Sequence, residues 1–327
     1  STVKGKESWN FSREFWLANL MELCERAAYY GFFIVLTLYL SAEFVGFSDE
    51  ETGIVAGIFF GGLYFLPPFL GAVADKIGFK RGLILAFTLL TIGYALLGTV
   101  RFLPEAEWLR KVSVILFLAI SMAGGSFIKA LITGTVAKTT TEANRARGFA
   151  LFYWVVNIGA FGGKTVVPSI RQGLGLEYVN FFSAGMTFIA LLVALFVFKP
   201  IEAQKSEKSL GDIVAALKGI LTTPRLILLT LIVTGFWMIQ HQLYATMPKY
   251  VIRLLGEEAR PEWLANVNPF VVVICVMAVT QLMKKRAAVT SMLFGMLLMP
   301  FSALAMAMST SLEAVTGSSV NFVLVVL

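Results

Sequence analysis

Long apolar runs recur along the chain, and this feature limits the possible folds more than any other. Crossing the hydrocarbon core of a bilayer takes about 20 apolar residues in an α-helix, and in lipid only helices or closed barrels satisfy their backbone polar groups. Runs of this length fall at about 15–40, 53–73, 82–100, 112–137, 147–168, 179–198, 226–250, 267–283 and 287–309. A tenth run begins near Ser318 and reaches Leu327. We therefore expect an all-α polytopic membrane protein of about twelve spans, with the chain truncated in about the tenth.

The basic residues are distributed unequally between the two sets of connections. If the amino terminus lies in the cytoplasm, seventeen Lys and Arg residues fall on the inner side and seven on the outer side. Cytoplasmic connections carry an excess of Lys and Arg, so this distribution predicts a multi-pass protein of the cell membrane with a cytoplasmic amino terminus. It also accounts for the net charge of +7 without a nucleic-acid partner.

The longest polar connection predicts how the chain is divided. It covers residues 199–225, follows the sixth span and contains a stretch, Asp212–Leu221, that could form a short amphipathic helix on the inner surface. We expect residues 1–198 to form an amino-terminal six-helix bundle and residues 226–327 to form an incomplete carboxy-terminal bundle, joined by this cytoplasmic linker. A six-plus-six plan suits a transporter whose two bundles rock about a site near the membrane midplane.

The first apolar run carries a polar face. Glu22, Glu25, Arg26, Tyr29 and Tyr30 lie within an arc of about 140° when the run is drawn as a helix. A charge that faces lipid costs several kcal/mol, so this face should look onto other helices or a water-filled cavity. An ionisable residue inside the membrane is by default a candidate functional residue. The alternative is a static ion pair that locks helices together.

A charged loop follows the second span. The sequence of residues 71–81 (GAVADKIGFKR) resembles the loop between spans two and three of the major facilitator superfamily, with Phe79 departing from the usual basic residue. The resemblance implies the superfamily fold of two six-helix bundles. It also implies a cytoplasmic gate in which Asp75 caps or pairs with the neighbouring bundle, while Lys76 and Arg81 anchor to the inner leaflet. The alternative is ordinary positive charge on the cytoplasmic side.

Residues 22–31 (ELCERAAYYG) resemble the first-helix signature of the proton-dependent oligopeptide transporters, a branch of that superfamily, with Ala27 in place of the usual Phe. Further stretches resemble the same family in the same order, at 64–67 (YFLP), 124–129 (GGSFIK), 152–161 (FYWVVNIGAF) and 268–270 (NPF). The resemblance covers nearly the whole chain, and the first- and fifth-span signatures together are specific.

The resemblance implies roles for individual side chains. Glu22 and Glu25 would carry protons, and Arg26 and Lys129 would bind the substrate carboxylate or pair with Glu25. Tyr29, Tyr30 and Tyr64 would hydrogen-bond the peptide, and Asn157 would contact its backbone. Further candidate substrate contacts are Gln240, Asn268 and Trp237, of which Trp237 shares a helix face with Tyr244 and has packing as its alternative role. A buried carboxylate without a cationic partner favours its protonated form. A substrate carboxylate that took over the cation would therefore leave Glu25 to bind a proton, which would couple the two fluxes.

Two positions depart from the family together. The family usually has an arginine where Phe33 stands and a glutamate where His241 stands, so both members of an outer-gate ion pair are missing. The joint loss is self-consistent because a lone buried charge is costly, and it leaves the outer gate to other contacts. His241, the only histidine, would be a proton carrier, a substrate contact or a neutral packing residue.

Lys164 is a second unusual residue. It lies seven positions after Asn157 on the same helix face, about 10 Å nearer the outside. It could replace the positive charge that is missing at Phe33 and bind substrate. The alternative is a lysine that snorkels near the end of its helix.

The leading hypothesis is a proton-coupled symporter that imports di- and tripeptides by alternating access. The alternatives are a proton-coupled transporter of another anionic or zwitterionic small solute, or a non-transporting membrane receptor. The sequence contains no residue cluster typical of an enzyme or a metal site and no ATP-binding loop, so we expect no enzyme, cofactor or bound metal. We expect the protein to work as a monomer in the lipid bilayer.

Overall fold

Helices build the structure, a computed structural model that describes residues 10–142, 144–200 and 210–283, together with 290, 293–298, 300, 301, 304 and 308. The α-helices in chain order are α1 (Arg13–Leu40), α2 (Asp49–Phe65), α3 (Pro67–Ile77), α4 (Phe79–Thr99), α5 (Glu107–Lys138), α6 (Arg145–Gly173), α7 (Leu176–Leu192), α8 (Leu210–Thr222), α9 (Pro224–Ala245), α10 (Met247–Leu255), α11 (Pro261–Leu264) and α12 (Val267–Met283). A 3₁₀ turn at Val100–Phe102 extends α4, and a π-helical turn at Val193–Val197 extends α7.

Polar caps and a proline fix where the first helices begin. Ser12 caps α1 by accepting a hydrogen bond from the backbone N–H of Phe15 at 3.2 Å. At α2, Ser48 and Glu51 each accept from the other's backbone N–H, at 3.1 and 2.9 Å, and so form a capping box. A bend of 45° separates α2 from α3 at Pro67, which has no N–H to continue the helical hydrogen bonding. The second span is therefore a broken helix.

The spanning helices agree with the apolar runs of the sequence. Six helices of the described part are long and apolar enough to cross a membrane, and the bent pair α2–α3 makes a seventh. The eighth run, 267–283, forms α12, which has 17 residues. The ninth run, 287–309, is described only in part, and the tenth, near Ser318, lies outside the described residues. The predicted all-α membrane class is confirmed.

Helix α1 lies at the centre of the first seven helices. In its most apolar stretch 78% of the residues are buried, the largest share among the spanning helices of the described part. It packs against α6 and α7, while α4 packs against α5 and α7. Two glycines allow α6 to approach closely, because a Cβ on Gly159 would lie 2.8 Å from the Leu23 carbonyl oxygen and one on Gly163 would overlap the backbone of Ala27. The polar face of α1 is thereby held inside the bundle.

The helices before and after α8 are joined at one end, which we call distal, where α1 ends and α2 begins. The opposite end, where α1 and α9 begin, is called proximal. At the distal end, the Thr37 hydroxyl donates to the Ala245 carbonyl at 3.1 Å. Asp49 accepts from Lys249 and Arg253 at 2.6 Å each. The structure is therefore closed at its distal end.

Helix α8 confirms the amphipathic segment predicted at 212–221. It covers Leu210–Thr222, packs against α3 and α9, and leaves Val214, Ile220 and Leu221 exposed. Residues 71–81, predicted as a charged loop, instead form the end of α3 and the start of α4, which meet at Gly78. The linker helix therefore contacts both parts of the chain next to the predicted gate.

Candidate functional site

Arg26 lies between two carboxylates on the buried face of α1. Its Nε is 3.2 Å from Glu22 Oε1, and its guanidinium forms an ion pair and a hydrogen bond with Glu25 Oε2. The helix sets this arrangement, because Glu22 lies one turn away on the same face. The side chains of Glu22, Glu25 and Arg26 are 7%, 2% and 11% exposed. The three charges predicted to share one face thus form a single enclosed cluster.

Lys129 on α5 is a second cation beside this cluster. Its ammonium lies over the ring of Tyr64, 3.4 Å from the ring centre, which is a cation–π contact. Within the described part, no carboxylate lies at ion-pair distance from Lys129. Arg26 is therefore occupied by two carboxylates, whereas the charge of Lys129 is available to an incoming anion.

The predicted polar contacts around the cluster differ in how accessible they are. The Tyr29 hydroxyl is buried and has no hydrogen-bond partner among the described residues. Tyr30 is half-buried, with its ring centre 6.0 Å from that of Tyr244. The Asn157 amide donates at 2.8 Å to a carbonyl one turn earlier in α6. Tyr64 is the most open of these residues, with 55% of its surface exposed.

Aromatic rings meet where the related family has its outer-gate ion pair. Phe33 stacks on Tyr244 with ring centres 4.4 Å apart and an interplanar angle of 16°. Its ring also lies 5.8 Å from that of His241 and 4.5 Å from that of Phe60. The positions of the missing arginine and glutamate therefore do face each other, and the contact between them is apolar. We call Phe33, Phe60, His241 and Tyr244 the aromatic cluster.

A cavity of about 1020 Å³ lies between α2 and the α9–α10 pair. Phe60, Tyr64, Trp237 and His241 supply aromatic walls. The Nδ1 atom of His241 is buried and has no hydrogen-bond partner among the described residues. Because Lys129 rests on the ring of Tyr64, a cation lies directly behind one wall of this cavity. The cavity can therefore accept a molecule that combines an anionic group with an apolar one.

Lys164 lies at the junction between the two parts of the chain. Its side chain is fully buried, so the snorkelling alternative is wrong. The ammonium donates to the Ala265 carbonyl at 2.8 Å and lies 3.5 Å from the Tyr244 hydroxyl. Its predicted place on the helix face of Asn157 brings it beside the aromatic cluster, although not into the cavity.

Other predicted residues lie away from the cavity. Gln240 is half-buried, Asn268 is exposed, and neither lines it. The ion cluster of α1 and four further predicted residues also lie behind its walls: Tyr29, Tyr30, Lys129 and Asn157. At the proximal end, Lys76 and Arg81 are exposed. The side chain of Asp75 lies outside the described part of the structure.

Contacts at the distal end were not apparent from the sequence. Arg171 forms an ion pair with Glu262 at 2.7 Å, with the two side chains 9% and 0% exposed, and also donates to the Ala259 carbonyl at 2.7 Å. The Asn266 amide donates to the Thr165 hydroxyl at 2.8 Å. In the sequence, Arg171 resembles an ordinary charged residue near a loop. Its pairing with Glu262, which follows 91 residues later, is not indicated by any motif or spacing.

Comparison with curated proteins finds peptide permeases. The chain is 30% identical over 195 residues to dipeptide and tripeptide permease B of Xenorhabdus bovienii, an alignment that covers 58% of this chain and 37% of that permease. It is 32% identical over 188 residues to permease B of Shigella dysenteriae, covering 55% of this chain and 36% of that protein. The match thus spans little more than a third of the length of these relatives.

Solved structures of peptide transporters share the fold. A sulfate-bound peptide transporter POT aligns with a TM-score of 0.73 at 17% identity, covering 95% of this chain and 78% of that chain. A POT family transporter in complex with 5-aminolevulinic acid aligns with a TM-score of 0.69 at 18% identity, covering 99% of this chain and 81% of that chain. The predicted fold is confirmed by these matches.

The family comparison covers nearly the whole chain. The family model described as Major Facilitator Superfamily matches residues 18–327, which include the ion cluster of α1, Lys129 and the aromatic cluster. The chain therefore belongs to the Major Facilitator Superfamily.

Proposed function

We propose that this protein is a proton-coupled symporter that imports di- and tripeptides by alternating access. The observation that carries the proposal is the division of charge in the site. Arg26 is held by Glu22 and Glu25, whereas Lys129 has no carboxylate partner within the described part. A site with one free cation and two protonatable groups suits the joint binding of a carboxylate and a proton. The permeases among the relatives support the choice of substrate.

Coupling follows from competition for the cations. A peptide carboxylate would first meet Lys129 and would then compete with Glu25 for Arg26. Since a buried carboxylate that loses its cation favours its protonated form, Glu25 would bind a proton as the peptide enters. One charge moved through a membrane potential of 100 mV supplies about 2.3 kcal/mol, or roughly fifty-fold in concentration.

The remaining assignments complete the proposal. Tyr29, Tyr30, Tyr64, Asn157 and Trp237 would contact the peptide, and His241 would contribute to proton transfer from the cavity wall. Of these residues, Tyr64, Trp237 and His241 line the cavity, and the others, with Gln240 and Asn268, would reach the substrate only after the helices shift. Residues 1–198 and 226–327 would move as two bundles about the linker, and a single copy of the protein would suffice.

We also propose that the distal end faces the outside of the cell and that the amino terminus lies in the cytoplasm. The excess of basic residues in the connections at the proximal end supports this orientation. The structure then corresponds to a state closed to the outside. Asp75, Lys76 and Arg81 would belong to the gate at the cytoplasmic end.

Uptake into proteoliposomes tests the proposal. The full-length protein would be reconstituted, and accumulation of a labelled dipeptide would be followed under an imposed inward proton gradient. We expect accumulation that stops when an ionophore collapses the gradient. Uptake that the ionophore leaves unchanged would rule out coupling, and saturable binding without uptake would indicate a receptor.

A specific observation favours a second candidate function. The aromatic cluster replaces an ion pair by apolar contacts, so the site can differ in substrate from the related peptide transporters. Another small anionic or zwitterionic solute is therefore the alternative. Competition against labelled dipeptide uptake separates the two, because the peptide proposal predicts stronger inhibition by dipeptides than by single amino acids or small organic acids.

A further inference from the structure

Within the described part of the chain, Lys164 is a buried lysine without a carboxylate partner. Its exposed fraction is 0%, and no carboxylate of the described residues lies at ion-pair distance from it. Among the described residues, its ammonium donates to two neutral groups, the Ala265 carbonyl at 2.8 Å and the Tyr244 hydroxyl at 3.5 Å. The ring centres of Tyr30 and Tyr244 lie 5.5 and 5.3 Å away. The distal closure thus encloses an ammonium group whose partners in the described part are all neutral.

The sign of this effect on closure follows from solvation. Removing an ammonium from water costs several kcal/mol, and hydrogen bonds and ring faces return only part of that cost. Even a buried ion pair can often be replaced by apolar residues of similar volume without loss of stability, and a lysine without a carboxylate partner has less to offset its desolvation. Ala265 and Tyr244 both belong to the part of the chain after α8, so separation of the two parts would return Lys164 to water. Closure is therefore opposed by Lys164 and opening is favoured by it.

The neighbouring contacts act in the other direction. The stack of Phe33 on Tyr244, the hydrogen bond of Thr37 and the ion pair of Arg171 with Glu262 all hold the distal end closed. We propose that Lys164 is a positioning residue that balances these contacts, so that the distal end can open again after each cycle. The inference rests on the proposed alternating access and adds to it a residue that sets the equilibrium between the two states.

The rate at which a buried cysteine becomes accessible measures this equilibrium. Thr37 is 5% exposed and contacts the second part of the chain. It would be replaced by Cys in full-length protein that carries Cys24→Ala and Cys275→Ala. Labelling by a membrane-impermeant maleimide from the outside then reports distal opening without any substrate. We expect Lys164→Met to slow labelling at least tenfold and to raise the thermal stability of the protein.

Two further variants make the test specific. Lys164→Gln keeps a hydrogen-bond donor for the Ala265 carbonyl but removes the charge, so it should also slow labelling. It replaces the Met variant in the test if Lys164→Met does not fold. Lys111→Met is the matched control, because Lys111 pairs with Glu51 and Glu107 of the first bundle and should leave labelling unchanged. The proposal is overturned if the Met or Gln variant labels as fast as the parent. Slowed labelling in a protein that fails to transport peptides would instead overturn the proposed substrate and leave this inference standing.

Discussion

At the scale of single residues, the site depends on which cation each carboxylate holds. Glu25 is 2% exposed and has Arg26 as its ionic partner in the described part, whereas Lys129 rests on the ring of Tyr64. We therefore propose the coupling role for Glu25, which depends on Arg26 for its charge, because a substrate carboxylate would compete for that cation.

Replacing Glu25 by Gln should uncouple transport. A gradient of one pH unit coupled to one proton supports about tenfold accumulation, and we expect Glu25→Gln to reduce this ratio to about one. Exchange of labelled for unlabelled dipeptide across the membrane should continue, since it needs no net proton movement. Glu14→Gln, in the first turn of the same helix, is the control and should accumulate peptide normally. Normal driven uptake in Glu25→Gln would refute the assignment.

His241 should affect the pH dependence of uptake. It is the only histidine, it lines the cavity, and imidazole changes its charge near neutral pH. We expect His241→Gln to shift the pH profile of dipeptide uptake, measured between pH 5 and 8. If His241→Gln leaves the pH profile of uptake unchanged and His241→Phe transports normally, His241 is a packing residue.

At the scale of helices, the crossing of α1 and α6 positions the ion cluster. Gly163 faces the backbone of Ala27, next to Arg26, whereas a Cβ on Gly162 would meet nothing within 4 Å. The two neighbouring glycines therefore form a matched pair, of which only one is required by packing.

Gly163→Ala should destabilise the protein through overpacking. An extra methyl group in a tightly packed contact typically costs about 1–3 kcal/mol of stability, so we expect the Tm in detergent to fall by several degrees. We also expect slower uptake, because the added methyl group would displace Arg26. Gly162→Ala should be neutral or slightly stabilising, since alanine is favoured over glycine in a helix by about 1 kcal/mol. Equal Tm values for the two variants would mean that the helices do not pack as closely as described.

The ion pair between α6 and α11 should show strong coupling. Arg171→Gln leaves Glu262, which is 0% exposed, without its cation, and breaking a buried pair costs about 3–5 kcal/mol. We expect each single variant, Arg171→Gln or Glu262→Gln, to open the distal end more than the double variant does. A double-mutant cycle on the maleimide labelling rate of Thr37→Cys measures the coupling energy between Arg171 and Glu262. Additive effects of the two substitutions would show that the pair is not coupled.

The sequence predicts the helices and the polar face of α1 well, because both depend on local periodicity. Local periodicity also predicts the helix positions and the linker helix. The family resemblance predicts the contact between Phe33 and His241. The pairing of Arg171 with Glu262 follows from neither, since it joins residues that no local pattern connects. The helix face on which Lys164 lies follows from its spacing to Asn157. Its full burial does not, because that depends on how the second part of the chain packs over it.

At the scale of the whole molecule, closure at one end defines the state of the structure. Thr37, Lys164 and Arg171 each contact the part of the chain after α8 at the distal end. The distal contacts are thus the ones that must break for the opposite state to form.

The balance of charges beside α1 has an electrical consequence. With both carboxylates ionised, Glu22, Glu25, Arg26 and Lys129 sum to zero, so the empty site adds no charge when the carrier reorients. A neutral dipeptide that enters with one proton adds one positive charge, whereas a dipeptide with one acidic side chain would add none. Transport should therefore be electrogenic for neutral dipeptides and nearly silent for acidic ones, as measured by currents on a solid-supported membrane. Equal currents per molecule transported would show that an acidic dipeptide enters with one more proton than a neutral dipeptide does.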